Sequence, residues 1–520
     1  MQYYERATQF RVRNVFSNHM VLQREKNIHI FGEGKEDTFV TVTLMHSDGS
    51  TITAKTVAKQ GKWLAILPPV KAEEGCTLTV TAFEDGTTIR KEFTDVAIGE
   101  VWLAGGQSNM EFELQNCAGG ADSLKNDINP NVRFYYTPKS SYKNNMFYEA
   151  EEASEWELFS GNNAKKWSAV GYYFAKKLSQ DLKGVTVGII GCNWGGTSAS
   201  AWMSRDVLLE DKELSGYVEE FDAACEGISI EQQETAYDEY LAYHTEWDRK
   251  CGELYRENPD IEWGEVENIL GKCRWPGPMN IKNPFRPAGL HECMLQRVCP
   301  YSLRGFIYYQ GESDDHKPQL YYKLFTRMIR EWREEFLDDE LPFILTQLTM
   351  HRYKNDEDFK NWPVIREAQM NAYRTVKNTG IAVIIDCGEF NNIHPLNKRT
   401  VGERLELQAL AHVYEVIDKR DAFGPLYRSS VYHENEIELC FMYAEDGFET
   451  KGELSGFEIA GPDGQFVKAG ARIEGSRIFV SAPAVINPRY VRYLWTNYGD
   501  VTLFGKNGMP AAPFRSFNTL

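Results

Sequence analysis

Over roughly the first 95 residues, apolar and polar positions alternate in short runs: Asn27–Phe31, Thr38–Leu44, Trp63–Leu67 and Cys76–Ala82. Turn signals such as Asp48-Gly49, Gln60-Gly61 and Asp85-Gly86 separate them. Period-two alternation broken by such turns predicts antiparallel strands and a small sandwich over residues 1–95. From about Val96 the rhythm changes. Short apolar runs (Val185–Ile190, Gly305–Tyr309, Pro342–Gln347, Ile381–Ile385) alternate with segments of helical period (Trp167–Leu182, Tyr321–Phe336, a helix beginning at Arg366–Tyr373, Arg399–Val416). That alternation predicts an α/β domain with a parallel sheet over residues 96–423. Between about 205 and 284 the alternation lapses into a Glu-, Tyr- and Trp-rich stretch, read as a helical insertion near the mouth of the sheet. From about 424 to 520 β patterning returns, as in Glu436–Phe441 and Ser476–Val480. There is no internal repeat and no low-complexity tract.

Composition narrows the class. The chain has 520 residues, too many for one core. Its 42% apolar and 13% aromatic content is that of a packed globular protein. A net charge of −18 argues against nucleic acid or an anionic membrane as partner. Twelve Trp and 27 Tyr suit stacking on sugars and equally suit large aromatic cores. The ten cysteines form no CxxC pair, and no Cys/His group has metal-ligand spacing. Together with an N-terminus lacking a signal-like apolar stretch, this leads to the expectation of a cytoplasmic protein with free thiols; a trimmed secreted form is the alternative.

Four loops follow expected strands and carry unusual polar content, and ligands in such sheets bind at the C-terminal strand ends. The first follows Gly99-Glu-Val-Trp-Leu-Ala-Gly105-Gly106 and reads Gln107-Ser108-Asn109-Met110. A strand, a glycine pair and a serine opening a helix can present a nucleophilic hydroxyl beside free backbone N–H groups; a helix cap fits the segment equally. The second, around Trp194-Gly195-Gly196-Thr197, lets backbone N–H groups approach a substrate oxygen, or is a plain tight turn. The third, Gln310-Gly-Glu312-Ser-Asp314, offers an amide for an oxyanion and two carboxylates read as hydrogen-bonded struts. The fourth, Glu389-Phe-Asn391-Asn392-Ile-His394-Pro395, holds a histidine on a loop between a buried strand and a long helix, where a neutral imidazole can take a proton from Ser108.

Five motifs in this order resemble one family. Gly-Gln-Ser108-Asn-Met, Trp194-Gly-Gly-Thr197 with Ala201-Trp202, Tyr309-Gln-Gly-Glu-Ser-Asp314, Arg366-Glu-Ala-Gln369 and Ile393-His-Pro-Leu-Asn-Lys398 resemble the sialate O-acetylesterase-like carbohydrate esterases of the SGNH (GDSL-like) hydrolase superfamily. Asn18–Gln23, Leu494–Gly499 and Gly508–Arg515 extend the likeness towards both ends. The resemblance implies a three-layer α/β/α parallel sheet flanked by N- and C-terminal β-sandwich-like regions. It implies Ser108 as nucleophile, His394 as base, and an oxyanion hole of the Ser108 N–H, an N–H of Gly195 or its neighbour Gly196, and the Gln310 side chain. It requires no metal and no organic cofactor. The substrate would be an acetylated mono- or oligosaccharide: sialic acid, or a plant cell-wall oligosaccharide of xylan, xyloglucan or mannan type. Sialate carries a carboxylate, for which Arg205, Arg286 and Arg352 are candidates.

The chain departs from the family where an aspartate usually precedes the histidine. Asn391 and Asn392 stand there, so Asn392, a backbone carbonyl, Asp386 or Glu389 must orient the ring. A competing reading is a catalytically weak or inactive carbohydrate-binding relative on the same scaffold. Glycoside hydrolysis by Glu312 and Asp314 is disfavoured, because residues two apart on one loop seldom flank a glycosidic bond.

Overall fold

The computed structural model describes residues 10–258 and 261–517. They form two compact units, one of residues up to Thr137, Ser154–Gly196 and Val298 onward, the other of Pro138–Ala153 and Thr197–Arg297.

The first unit is organised around the strand Thr87–Gly106, which has two environments. Its first half pairs antiparallel with Glu73–Glu84, and through it with Phe39–Met45 and Thr51–Val57. Its second half pairs in parallel with Val187–Asn193 on one side and Gly305–Tyr309 on the other. Val132–Tyr136 lies beyond Val187–Asn193, with Trp156–Leu158 antiparallel at that edge; Phe343–Gln347 and Thr379–Val383 follow on the other side. The result is one mixed eleven-stranded sheet. The boundary expected at residues 95/96 therefore falls inside a strand: every residue from Val96 to Gly106 is buried, and no linker interrupts the run. A separate three-stranded sheet (Arg11–Val12, Ile28–Glu33, Lys62–Leu67) completes the N-terminal β region.

Helices cover both faces of the parallel part. Trp102 meets Phe174 of the helix Ala169–Asp181, with ring centroids 5.1 Å apart, and the helix Lys398–His412 packs beside it. On the opposite face, a Cβ added to Gly105 would lie 2.8 Å from Trp332 of the helix Tyr321–Glu335, which packs against Asn361–Thr375. The alternating pattern predicts the parallel sheet, and the three layers are those the family resemblance implies. From Leu426 to Arg515 the chain forms short antiparallel sheets.

The second unit is helical. Ser229 and Gln232 form a capping box that starts the 28-residue helix Ile230–Glu257. Trp247 and Cys251 on that helix pack with Val266 of the helix Trp263–Leu270. The unit extends beyond the expected limits of 205 and 284 because two arginines tie distant segments together. Arg286 donates to the Ser141 carbonyl at 3.2 Å and pairs with Glu292 at 2.7 Å. Arg297 donates to the Phe147 carbonyl at 3.0 Å and covers the Phe147 ring. No helix among the described residues is long and apolar enough to cross a membrane.

Candidate active site

The two central strands of the parallel sheet, Thr87–Gly106 and Gly305–Tyr309, send their connections to opposite sides, which opens a crevice at their C-terminal ends. The chain turns sharply there. Gly106 has φ 133°, and a Cβ on it would lie 2.1 Å from the Tyr309 carbonyl oxygen, so only glycine fits. Ser108 then begins the short helix Ser108–Glu111, and its own N–H has no partner among the described residues.

His394, 286 positions away in the chain, brings Nε2 to 2.9 Å from the Ser108 Oγ. For Nε2 to accept the hydroxyl proton, the neutral ring carries its own proton on Nδ1. Burial lowers the His394 pKa, the nearby Lys398 and His351 lower it further, and Glu111 acts in the opposite direction. The imidazole is therefore neutral at pH 7, the state a general base needs.

None of the three expected orienting residues binds the ring. Asn392 accepts the His394 backbone N–H at 3.0 Å and donates to Glu389 at 2.8 Å. Glu389 also accepts the Leu396 N–H at 2.7 Å, so both residues shape the loop and hold the histidine by its main chain. Asp386 is paired through both oxygens with Arg404. Phe112 packs near the imidazole, 6.3 Å between centroids, and Nδ1 has no hydrogen-bond partner among the described residues.

The second loop lies against the nucleophile: a Cβ on Gly195 would sit 3.1 Å from the Ser108 Cβ. The Gly195 N–H is not open to a substrate oxygen, because it donates to the Glu111 carboxylate at 2.7 Å. The Gly196 N–H has no partner among the described residues, and its φ of 75° is a glycine conformation. Of the two alternatives, Gly196 is therefore the one whose N–H is not already bonded to Glu111.

The third loop is a set of struts. Gln310 is 1% exposed; its Nε2 donates to Asp314 at 2.5 Å and its Oε1 accepts the Tyr321 hydroxyl at 2.9 Å. One N–H of this amide and its oxygen thus brace the loop that carries it. Asp314 is fully buried, and Glu312 accepts from Asn109 Nδ2 at 2.6 Å. With both carboxylates enclosed and engaged, a glycosidase pair is excluded.

Sequence reasoning missed Asn109, Glu111 and Lys398, although each lies inside or beside a motif already singled out. Lys398 is completely buried, with Nζ 2.5 Å from Asn109 Oδ1 and over the Phe112 ring. Burial pushes the Lys398 ammonium down to about 8 and the Glu312 carboxyl up to about 7. Asn109 Nδ2 also reaches the Ile393 carbonyl at 3.0 Å, so one amide ties together the nucleophile, third and histidine loops. Arg366, fully buried, donates to the carbonyls of Leu348, Thr349, Thr496 and Asn497, which explains the Arg366–Gln369 motif as scaffold.

The family described as carbohydrate esterase, sialic acid-specific acetylesterase, matches residues 98–234 and 281–408, over half of the chain. The chain belongs to this family. It is 27% identical to the sialate O-acetylesterase of Mus musculus over 444 residues, covering 78% of this chain and 74% of the relative. It is 25% identical to the sialate O-acetylesterase of Rattus norvegicus over 490 residues, covering 87% and 82%. Among solved structures, a carbohydrate acetylesterase from Xanthomonas citri superposes with a TM-score of 0.75 and 28% identity, covering 98% of this chain and all of that one. The chain is thus a carbohydrate esterase, a carboxylic-ester hydrolase with the expected fold.

Proposed function

We propose that this esterase removes acetyl groups from sugar hydroxyls through a Ser108 acetyl-enzyme. The observation that carries the mechanism is the 2.9 Å contact between His394 Nε2 and Ser108 Oγ. Ser108 attacks the acetyl carbonyl while His394 takes its proton. The Ser108 and Gly196 N–H groups receive the developing oxyanion. His394 returns the proton to the departing sugar hydroxyl, then activates water to release acetate.

The substrate reading we favour is an acetylated sialic acid. Arg205 is already paired with Asp222, and Arg286 with Glu292. Arg352 has no acidic partner among the described residues; its carbonyl accepts the Asn391 N–H at 3.0 Å, three residues before His394. An uncommitted guanidinium there suits a sugar carboxylate. A second reading is neutral acetylated xylan, xyloglucan or mannan oligosaccharides. All ten cysteines are free, which supports a reducing compartment and a short, soluble glycan as substrate.

The test is acetate release from O-acetylated sialic acids and from acetylated xylo-, manno- and xyloglucan oligosaccharides, with S108A as control. The wild type is expected to turn over the sialic acids and S108A to lose about 10³-fold or more. R352Q is expected to raise KM for the acidic sugars alone. Preference for neutral oligosaccharides unaffected by R352Q would replace the sialate reading. Binding of acetylated sugars with no Ser108-dependent hydrolysis of any ester would leave a binding protein.

A further inference from the structure

With the usual aspartate absent, the charges around His394 have to be found elsewhere. The groups facing it are Lys398 from the helix Lys398–His412, His351 from the segment after the strand Phe343–Gln347, and Glu111 from the nucleophile helix. Burial keeps His351 neutral. The other nearby carboxylates are engaged in building loops: Asp386 with Arg404, Glu389 with Asn392 and Leu396, Glu312 with Asn109. An imidazolium forming at His394 would therefore face a cation, Lys398, with Glu111 as the one opposing charge among these groups.

We propose that Glu111 is the positioning residue that supplies, from the nucleophile's own helix, the negative charge an aspartate before His394 would otherwise bring. The proposal rests on the Ser108–His394 mechanism. Ser108 and Glu111 stand three residues apart, which puts both side chains on one face of a single helical turn. The carboxylate is fixed by the Gly195 N–H at 2.7 Å. A Cβ on Gly195 would lie 3.1 Å from the Ser108 Cβ and 3.5 Å from Glu111 Oε2, so nucleophile and carboxylate flank the same point, with His394 in hydrogen-bond contact with the nucleophile. The Glu111 carboxylate raises the basicity of the ring by its charge, and partial burial of the site weakens screening. The same carboxylate has a second effect: by holding Gly195 it fixes the glycine that lies against Ser108 and precedes Gly196.

The two effects separate by substitution. In E111Q the amide oxygen still accepts the Gly195 N–H while the charge is gone; in E111A both are lost. The experiment measures kcat, KM and the pH profile of p-nitrophenyl acetate hydrolysis for wild type, E111Q, E111D, E111A and S108A, with thermal unfolding as a folding control. E111Q is expected to lower kcat about tenfold at unchanged KM and unchanged melting temperature. It is also expected to move the acid limb of kcat/KM to lower pH, because losing a nearby anion makes His394 less basic. E111D is expected to restore part of both. An unaltered kcat and acid limb in E111Q would make Glu111 a loop strut and overturn the proposal, and a faster E111Q would show that the carboxylate opposes the oxyanion. Activity retained by S108A would remove the mechanism beneath the proposal, an outcome read from a different variant.

Discussion

The ammonium of Lys398 lies 2.5 Å from the Oδ1 of Asn109, the residue that follows the nucleophile. The other end of the same amide donates to Glu312 at 2.6 Å, so a buried cation and a buried carboxyl are joined through one neutral side chain. Removing it leaves two buried ionisable groups short of a partner, which is among the costlier changes a core admits. N109A is expected to destabilise the protein by about 3 kcal/mol and to lower kcat, because the Ile393 carbonyl beside His394 loses its donor. N109D keeps an acceptor for Lys398 but sets two carboxylates against each other at Glu312, and is expected to be no better. Urea unfolding with kcat on the same samples checks both; wild-type stability in N109A would show that Lys398 and Glu312 find each other directly.

Asn392 gives a second prediction. Because Asn392 Nδ2 donates to Glu389, N392D would place two carboxylates in contact and pull the loop open. An aspartate at this position is therefore expected to lower kcat. N392A loses the acceptor for the His394 N–H and is expected to lower kcat about tenfold. D386N strands the Arg404 guanidinium, so its expected effect is a fall in melting temperature with the pH profile unmoved. A gain in kcat for N392D would mean that the side chain at 392 turns to the ring during turnover.

The glycines of the second loop make a sharper contrast. G195A places a methyl 3.1 Å from the Ser108 Cβ, tighter than ordinary contact, and is expected to displace the nucleophile and lower kcat about a hundredfold with little change in stability. G106A combines φ 133° with a 2.1 Å approach to a fixed carbonyl oxygen and is expected to give no soluble folded protein. Soluble yield and kcat distinguish the two.

Much of this architecture is legible in the chain, for definite reasons. Buried parallel strands such as Gly305–Tyr309 and Phe343–Gln347 are largely apolar runs, and reactive loops sit where such runs end, so Ser108 and His394 stand out from residue order alone. Val132–Tyr136 escapes because Arg133 interrupts its pattern; that guanidinium is buried by bonds to the His19 and Asp95 carbonyls, partners remote in sequence. The second unit's true extent escapes likewise, since Arg286 and Arg297 reach backward to carbonyls near residue 145. Spacing also cannot tell which end of an amide is used. Gln310 and Asn392 look like reagents in the sequence, but their hydrogen bonds bind the loops that carry the reagents.

The same buried groups predict how stability responds to pH. The Glu312 carboxyl is raised by burial from 4.5 to about 7. Between those values the folded protein keeps a proton that the unfolded chain has released, so this group's contribution falls as pH rises through that window. Lys398 is lowered by burial from 10.5 to about 8. Between about 8 and 10.5 the folded protein has lost a proton that the unfolded chain keeps, so this contribution rises with pH. The two together place the pair's least favourable contribution near neutrality, between the two shifted values. Urea unfolding from pH 5 to 10 is expected to show that E312Q, relative to wild type, removes the decline below pH 7, and that K398M removes the rise above pH 8. Parallel stability curves for wild type and both variants would mean that the Asn109 amide leaves neither group displaced from its ordinary range.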